Sequence, residues 1–150
     1  EPVSDDFHAR FSCTGKTYSY YLHNARIRDP FQKHRAGFWP TPLNAERMDA
    51  FAKQFIGRHD FASFCRVHTD VKTTFCNVMA AYWEDGVFHI QADRFLRNMV
   101  RAVVGTLLEV GKGKLSIDAF RRVIEQKDRC QAGTSVPGNA LFLVDVTYPY

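Results

Sequence analysis

One segment limits the possible folds more than any other. From Phe95 to Val110 the chain reads FLRNMVRAVVGTLLEV, free of proline and with an apolar arc of roughly 220° on a helical wheel. A helix lying on a surface needs an apolar stripe only about half that wide. This one should therefore be mostly buried, and Gly111 and Gly113 mark its end. A length of 150 residues suits a single domain with one core of reasonable size.

The remaining elements can be read around that helix. Phe7–Cys13 alternates apolar and polar residues, Lys16–His23 is a β-prone aromatic run, and the Thr14-Gly15 break between them predicts a hairpin. The polar stretch 24–33, with Asp29-Pro30, predicts a loop, and His34–Trp39 a short strand stopped by Pro40 and Pro42. Met48, Phe51, Ala52 and Phe55 carry the spacing of a buried stripe, so Leu43–Ile56 should be helical. Asn44 is its cap, Gly57 its stop, and Gly57–Phe61 a change of direction. Thr73–Trp83 and Gly86–Ala92 form a predicted hairpin through Asp85-Gly86. Ser116 should cap a helix running to about Lys127, and Leu141–Tyr148 closes the chain as a strand. Strands, helix, hairpin, two helices and strand in that order argue for an α+β fold: an antiparallel sheet with helices packed on one face.

Composition narrows the function classes. Hydrophobic residues make up 45%, including thirteen Phe, which excludes a disordered chain. No apolar run approaches the roughly 18 residues that span a bilayer, and a cytoplasmic protein is expected. The net charge of +4 favours an anionic partner, although a merely solvated basic surface has the same composition. Cys13, Cys65, Cys76 and Cys130 form no C-x-x-C, and the histidines are dispersed. Free thiols and no metal are expected. The opening Glu1–Asp6, without Met, reads as a linker remnant ahead of a domain over 7–150, as in a piece of something longer.

Two groups of side chains could carry chemistry. Period-two geometry puts Tyr18 and Tyr20 on one strand face with Lys16 beside them, a pattern suited to stacking an unpaired base next to a phosphate. Sheet packing explains tyrosines on a strand equally well. Arg97 and Arg101 lie one helical turn apart on the narrow polar side of the long helix. Arg101 borders the apolar arc and should be half-buried, where a charge needs a carboxylate or phosphate partner. An internal salt bridge is the structural alternative. Asp60, Asp70, Asp93 and Asp128 are candidate carboxylates, each with a plainer reading as a turn or cap residue. Neither a nucleophile elbow nor a glycine-rich phosphate loop occurs.

Several runs together resemble one family. They are DDFHARFS (5–12), KTYSYYLHN (16–24), RDPF (28–31), GRHDFASF (57–64), ADRFLRNMVRAVVGTLLEVGKG (92–113), KDRCQAG (127–133) and LFLVDVTYP (141–149). In this order, over nearly the whole chain, they resemble the C-terminal half of the tRNA pseudouridine synthases of the TruA type. The resemblance implies an enzyme that isomerises uridine to pseudouridine in the tRNA anticodon stem–loop, at tRNA positions 38 to 40. It also implies a homodimer that uses neither cofactor nor metal, with the active cleft between two α+β halves.

In that family the nucleophilic Asp belongs to an Arg-Thr-Asp turn of the N-terminal half. This sequence contains no such turn, and His68-Thr69-Asp70 falls after GRHDFASF, in the wrong half. By the resemblance, Tyr18 stacks on the target base, Arg101 orients the catalytic Asp, and Leu141 walls the base pocket. The family usually has Gly before that Leu, where this chain has Ala140. If the family glycine takes a positive φ, Ala140 would shift the loop. His8, Arg10, Lys16 and Arg97 are expected RNA contacts on charge grounds. A non-catalytic RNA-binding module of the same fold, and a purely structural or dimerisation domain, are the alternatives. With the Asp half absent, the chain alone is expected to grip RNA without catalysing.

Overall fold

A computed structural model describes residues 2–66 and 72–149. Its sheet is built from β1 (Gly15–Asn24), β2 (Gly37–Trp39), β3 (Gly57–Asp60), β4 (Phe75–Glu84), β5 (Val87–Ala92) and β6 (Leu141–Thr147). The order is β2-β1-β5-β4-β3, with β6 also on β1. Among the described residues only the β1–β2 pair is parallel. Helices α1 (Ala45–Ala52), α2 (Met99–Gly111) and α3 (Ile117–Gln126) complete an α+β fold.

Local chemistry explains most boundaries. Asn44 accepts a hydrogen bond from the Arg47 N–H at 3.0 Å, and Ser116 from the Ala119 N–H at 3.2 Å, so both predicted caps satisfy first-turn donors. Asp85 and Gly86, at φ 51° and 77°, give the left-handed pair that a two-residue hairpin turn requires. α1 tightens into a 3-10 turn at Lys53–Phe55.

The long apolar helix is covered on nearly all sides. Every residue of α2 is buried except Arg101 and Glu109, which are half-exposed. Glu109 pairs with Lys112 at 3.1 Å, leaving Arg101 as the charge that needs explaining. Around α1 and α3, Phe55, Phe61, Phe64 and Phe120 form an aromatic cluster with ring centroids 5.1–6.0 Å apart.

Four expectations need correction. Phe7–Cys13 is not a strand but a chain of turns. His8 Nδ1 accepts from the Arg10 and Phe11 N–H groups at 3.2 and 3.3 Å, and Ser12 Oγ from the His8 N–H at 2.9 Å. Side chains thus capture the donors a ladder would use, and β6, from the far end of the chain, takes the antiparallel place beside β1. Gly57–Asp60, expected as a turn, is the edge strand β3, entered through Gly57 at φ 109°. α2 starts at Met99 rather than Phe95, because Asn98 sits at φ 69°, a conformation Asn tolerates but a helix does not. Arg97 therefore precedes the helix, and its predicted one-turn spacing from Arg101 does not exist. Gly111 lies within α2 rather than beyond it, and the left-handed stop is Gly113 at φ 80°.

Candidate functional site

β1 is the platform. Tyr18 faces Ile90 of β5 and Leu143 of β6, while Tyr20 faces Phe88 and Leu141. Cross-strand partners share a face, so Tyr18, Tyr20 and Leu141 all point to the helix side. Tyr20 is 1% exposed and belongs to the core. Tyr18 stands where that core meets solvent, with Ile90 fully buried on one side and Leu143 50% exposed on the other. Its ring is held edge-to-face against Phe95, centroids 4.9 Å apart at 86°.

Arg101 reaches the same region from α2. Its Nε–H donates to the Val136 carbonyl at 2.7 Å, and the Val136 N–H donates back to the Arg101 carbonyl at 3.2 Å. Among the described residues its terminal nitrogens have no hydrogen-bond or ion-pair partner. The guanidinium is thus fixed through one nitrogen, with its fork of donors open. The internal salt bridge that sequence reasoning allowed is absent among the described residues. The Tyr20 hydroxyl donates to the Pro137 carbonyl at 2.9 Å. Burial pushes that phenol up to about 12, opposed by the nearby positive charge of Arg101.

The loop that carries Val136 and Pro137 is laid on α2 by two glycines. A Cβ on Gly105 would overlap the Thr134 carbonyl, and one on Gly133 would come within 2.7 Å of the Gly105 carbonyl oxygen. Arg129 secures the loop from outside, donating to the Gly133 carbonyl at 3.1 Å and to Ser135 Oγ at 2.8 Å. Asn98 Nδ2 adds a bond to the same Ser135 oxygen at 2.5 Å. Ala140, which follows, is fully buried and is not among the residues with positive φ. The loop accommodates its Cβ without left-handed strain, and Leu141 enters β6 at φ −96°.

The other expected residues are scattered. His8 and Arg10 are exposed in the N-terminal turns, with the Arg10 guanidinium 5.4 Å from the Phe11 ring centre. Lys16 is half-buried at the start of β1, and Arg97 is exposed just before α2. Three candidate carboxylates are occupied by local structure. Asp60 accepts from the Thr74 hydroxyl at 2.5 Å and the Ala62 N–H at 3.0 Å, with Lys127 Nζ at 3.4 Å. Burial raises its carboxyl, but these partners outweigh burial and hold it below the usual range. Asp93 accepts from the Asn77 N–H at 2.8 Å and Asp128 from the Cys130 N–H at 3.0 Å. Asp70 lies outside the described residues. All four cysteines are free. The described residues contain no group of three His, Cys, Asp or Glu arranged to hold a metal ion, and no helix long and apolar enough to cross a membrane.

Sequence reading missed the parts that hold the site. Tyr20 looked like a second platform and is instead a core strut. The Gly105–Gly133 approach was visible only as two glycines, one of them inside a helix, where glycine costs about 1 kcal/mol relative to Ala. That cost was the available signal.

The geometry gives a half-buried aromatic and an open guanidinium on one side of an α+β sheet, and sequence comparison shows the family of the chain. The family model described as tRNA pseudouridine synthase matches residues 51–149. The chain is 56% identical to tRNA pseudouridine synthase A of Parabacteroides distasonis, over 99% of this chain and 60% of that protein. This chain belongs to the tRNA pseudouridine synthase family. Another relative of the same name, from Bacteroides fragilis, is 55% identical over 98% of the chain and 60% of its own length. The one from Bacillus subtilis is 40% identical over 99% and 62%. The chain thus spans about 60% of the length of these curated family members. The match from residue 51 onward includes Arg101, Leu141 and the glycine-laid loop, while Tyr18 rests on the longer pairwise matches.

Proposed function

We propose that this chain is the RNA-gripping, C-terminal part of a cytoplasmic tRNA pseudouridine synthase. The enzyme isomerises uridine to pseudouridine in the anticodon stem–loop, at tRNA positions 38 to 40. One observation carries the reading: Arg101 is pinned through Nε while its outer donors face no carboxylate among the described residues. A half-buried cation in that state has an unfilled demand for an anion. The anion is an Asp carboxylate contributed by sequence outside this chain.

In the reaction the N1–C1′ glycosidic bond breaks, the base turns, and C5 bonds to C1′. The C5 hydrogen leaves as a proton and N1 takes one up, so the product is an isomer and no redox partner enters. The Asp initiates bond cleavage, and Arg101 fixes the carboxylate's position through its paired N–H groups. Tyr18, braced by Phe95, stacks on the flipped base and keeps it in place while it turns. Leu141 supplies an apolar wall. No cofactor or metal is required. Lys16, Arg97, Arg10 and His8 meet the RNA backbone peripherally; His8 does so through Nε2, since its Nδ1 already organises the local turn. The enzyme acts as a homodimer, and the exposed Tyr21, Met79, Tyr82 and Phe142 supply apolar area for association.

Tritium release from tRNA carrying 5-tritiated uridine tests this directly. The chain alone should bind tRNA in a salt-dependent way and release no tritium. The longer protein, with its additional segment, should release it catalytically. Stoichiometric, tRNA-specific release by the chain alone would place the nucleophile within these residues and overturn the assignment.

A further inference from the structure

Beside the loop that anchors Arg101 lies a second feature that the proposed catalytic roles leave unused. A cavity of about 600 Å³ is lined by His23, Arg28, Lys33, Phe38, Pro137 and Asn139, among others. The Arg28 guanidinium sits 4.5 Å from the Phe38 ring centre, and the His23 ring packs on the same aromatic at 5.8 Å. Arg28 and Lys33 have no ion-pair or side-chain hydrogen-bond partner among the described residues. The one acid in the lining forms no ion pair with either. Asp29 spends its carboxylate on its own 3-10 turn, accepting from the Phe31 N–H at 3.0 Å and from Gln32 Nε2 at 3.4 Å. Between residues 26 and 35 the chain also carries Arg26 and Arg35, so this segment holds four cations and one carboxylate.

The cavity and the Arg101 site share a wall. Along residues 136–139 the chain alternates. Val136 bonds Arg101, and Gly138 lies against its guanidinium, where an added Cβ would be 3.6 Å from Nε. Pro137 and Asn139 line the cavity instead, and Asn139 Nδ2 donates to the Lys33 carbonyl at 3.3 Å. The two sites are neighbours that share residues 136–139.

We propose that this cavity is a subsite for a phosphodiester of the RNA strand, next to the nucleotide held at Tyr18 and Arg101. A cavity with unpaired cations, one of them set over an aromatic ring, fits an anionic group flanked by a base or sugar. The proximity to Arg101 makes that group part of the same strand. This inference rests on the RNA-gripping role proposed above.

The test is binding of the chain to a fluorescently labelled RNA stem–loop across a salt series. Arg28→Ala should weaken binding about 3- to 10-fold and lower the slope of log K against log salt by about 0.7, one single-strand phosphate contact. Arg28→Lys should restore the slope but not the full affinity, since it keeps the charge and loses the planar guanidinium over Phe38. Arg121→Ala, an equal charge loss on the exposed side of α3, should change neither. Equal effects of Arg28→Ala and Arg121→Ala would reduce the cavity to general surface charge and overturn the subsite. A titration with inorganic pyrophosphate separates the other source. Binding lost in Arg28→Ala while the RNA slope stays at wild type would mean a free-anion site and overturn the RNA assignment. Absence of any RNA binding by the wild-type chain would instead sink the gripping role, and the subsite with it.

Discussion

Gly105→Ala sets two opposed effects against each other, and the structure decides between them. In an isolated helix the change should stabilise by about 0.8–1.0 kcal/mol, because glycine has the poorer helix propensity. Here the new methyl would occupy the position of the Thr134 carbonyl, with the Thr134 carbonyl carbon 2.9 Å away. Those atoms are backbone and cannot rotate aside, so residues 133–136 must lift away from α2. Lifting strains the Gly133 N–H bond to Thr106 Oγ1 at 2.9 Å and both bonds between Arg101 and Val136 at 2.7 and 3.2 Å. At roughly 1 kcal/mol per hydrogen bond, with overpacking adding about 1–3 kcal/mol, the loss exceeds the propensity gain. A net destabilisation of about 3–5 kcal/mol is expected. Equilibrium urea unfolding measures it, and the Arg101 Nε–H resonance in nitrogen-edited NMR reports whether the guanidinium has lost its anchor. A variant as stable as wild type, or more so, with that resonance unshifted would refute the close approach as the element that positions Arg101.

In the complete enzyme, Arg101→Ala should cut kcat by about 100-fold or more while tRNA affinity changes modestly; equal losses in both would reassign the residue to binding. Tyr18→Phe should bind RNA nearly as wild type, because stacking needs the ring; a collapse of affinity in a filter-binding assay would mean that the hydroxyl is the contact. Tyr20 and Cys76 give a pH prediction. Burial raises the phenol from 10.0 to about 12 and the thiol from 9.0 to about 11. Above pH 9 the unfolded chain therefore releases protons that the native state keeps. Stability from these groups should be flat below pH 9 and fall from there to about pH 12. Urea midpoints for wild type and Tyr20→Phe across that range should converge as pH rises, and parallel curves would contradict the assignment.

The long-range architecture followed from few signals. The width of the apolar arc around Val100–Leu108 announced a covered helix, and the structure leaves only Arg101 and Glu109 partly exposed within α2. Asp85-Gly86, Asn44 and Ser116 worked because each solves a local backbone problem with its own side chain or φ. The errors share a cause. In Phe7–Cys13 alternation alone suggested a strand, yet His8 and Ser12 gave the backbone donors nearer partners. Asn98 sits inside an apolar helical pattern, and only its left-handed φ and its bond to Ser135 cut the helix short. That bond depends on a loop 37 positions away, so no local window could contain it.

The same dependence explains why Tyr18 and Arg101 could be singled out while the machinery between them could not. A chemically demanding side chain is conspicuous on its own, because the donors of a half-buried guanidinium need partners in any fold. A positioning contact is conspicuous only as a pair. Gly105 without Gly133 is a poor helix residue, and Tyr20 without the Pro137 carbonyl is one more core aromatic. Paired, they lay residues 133–138 along α2, hold the Val136 carbonyl at the Arg101 Nε, and leave the outer guanidinium nitrogens without a hydrogen-bond partner among the described residues. The open fork is therefore a built feature. Three backbone contacts from a single loop hold a cation toward a space that the described residues leave without a carboxylate, which is the arrangement expected when the carboxylate arrives from another part of the protein.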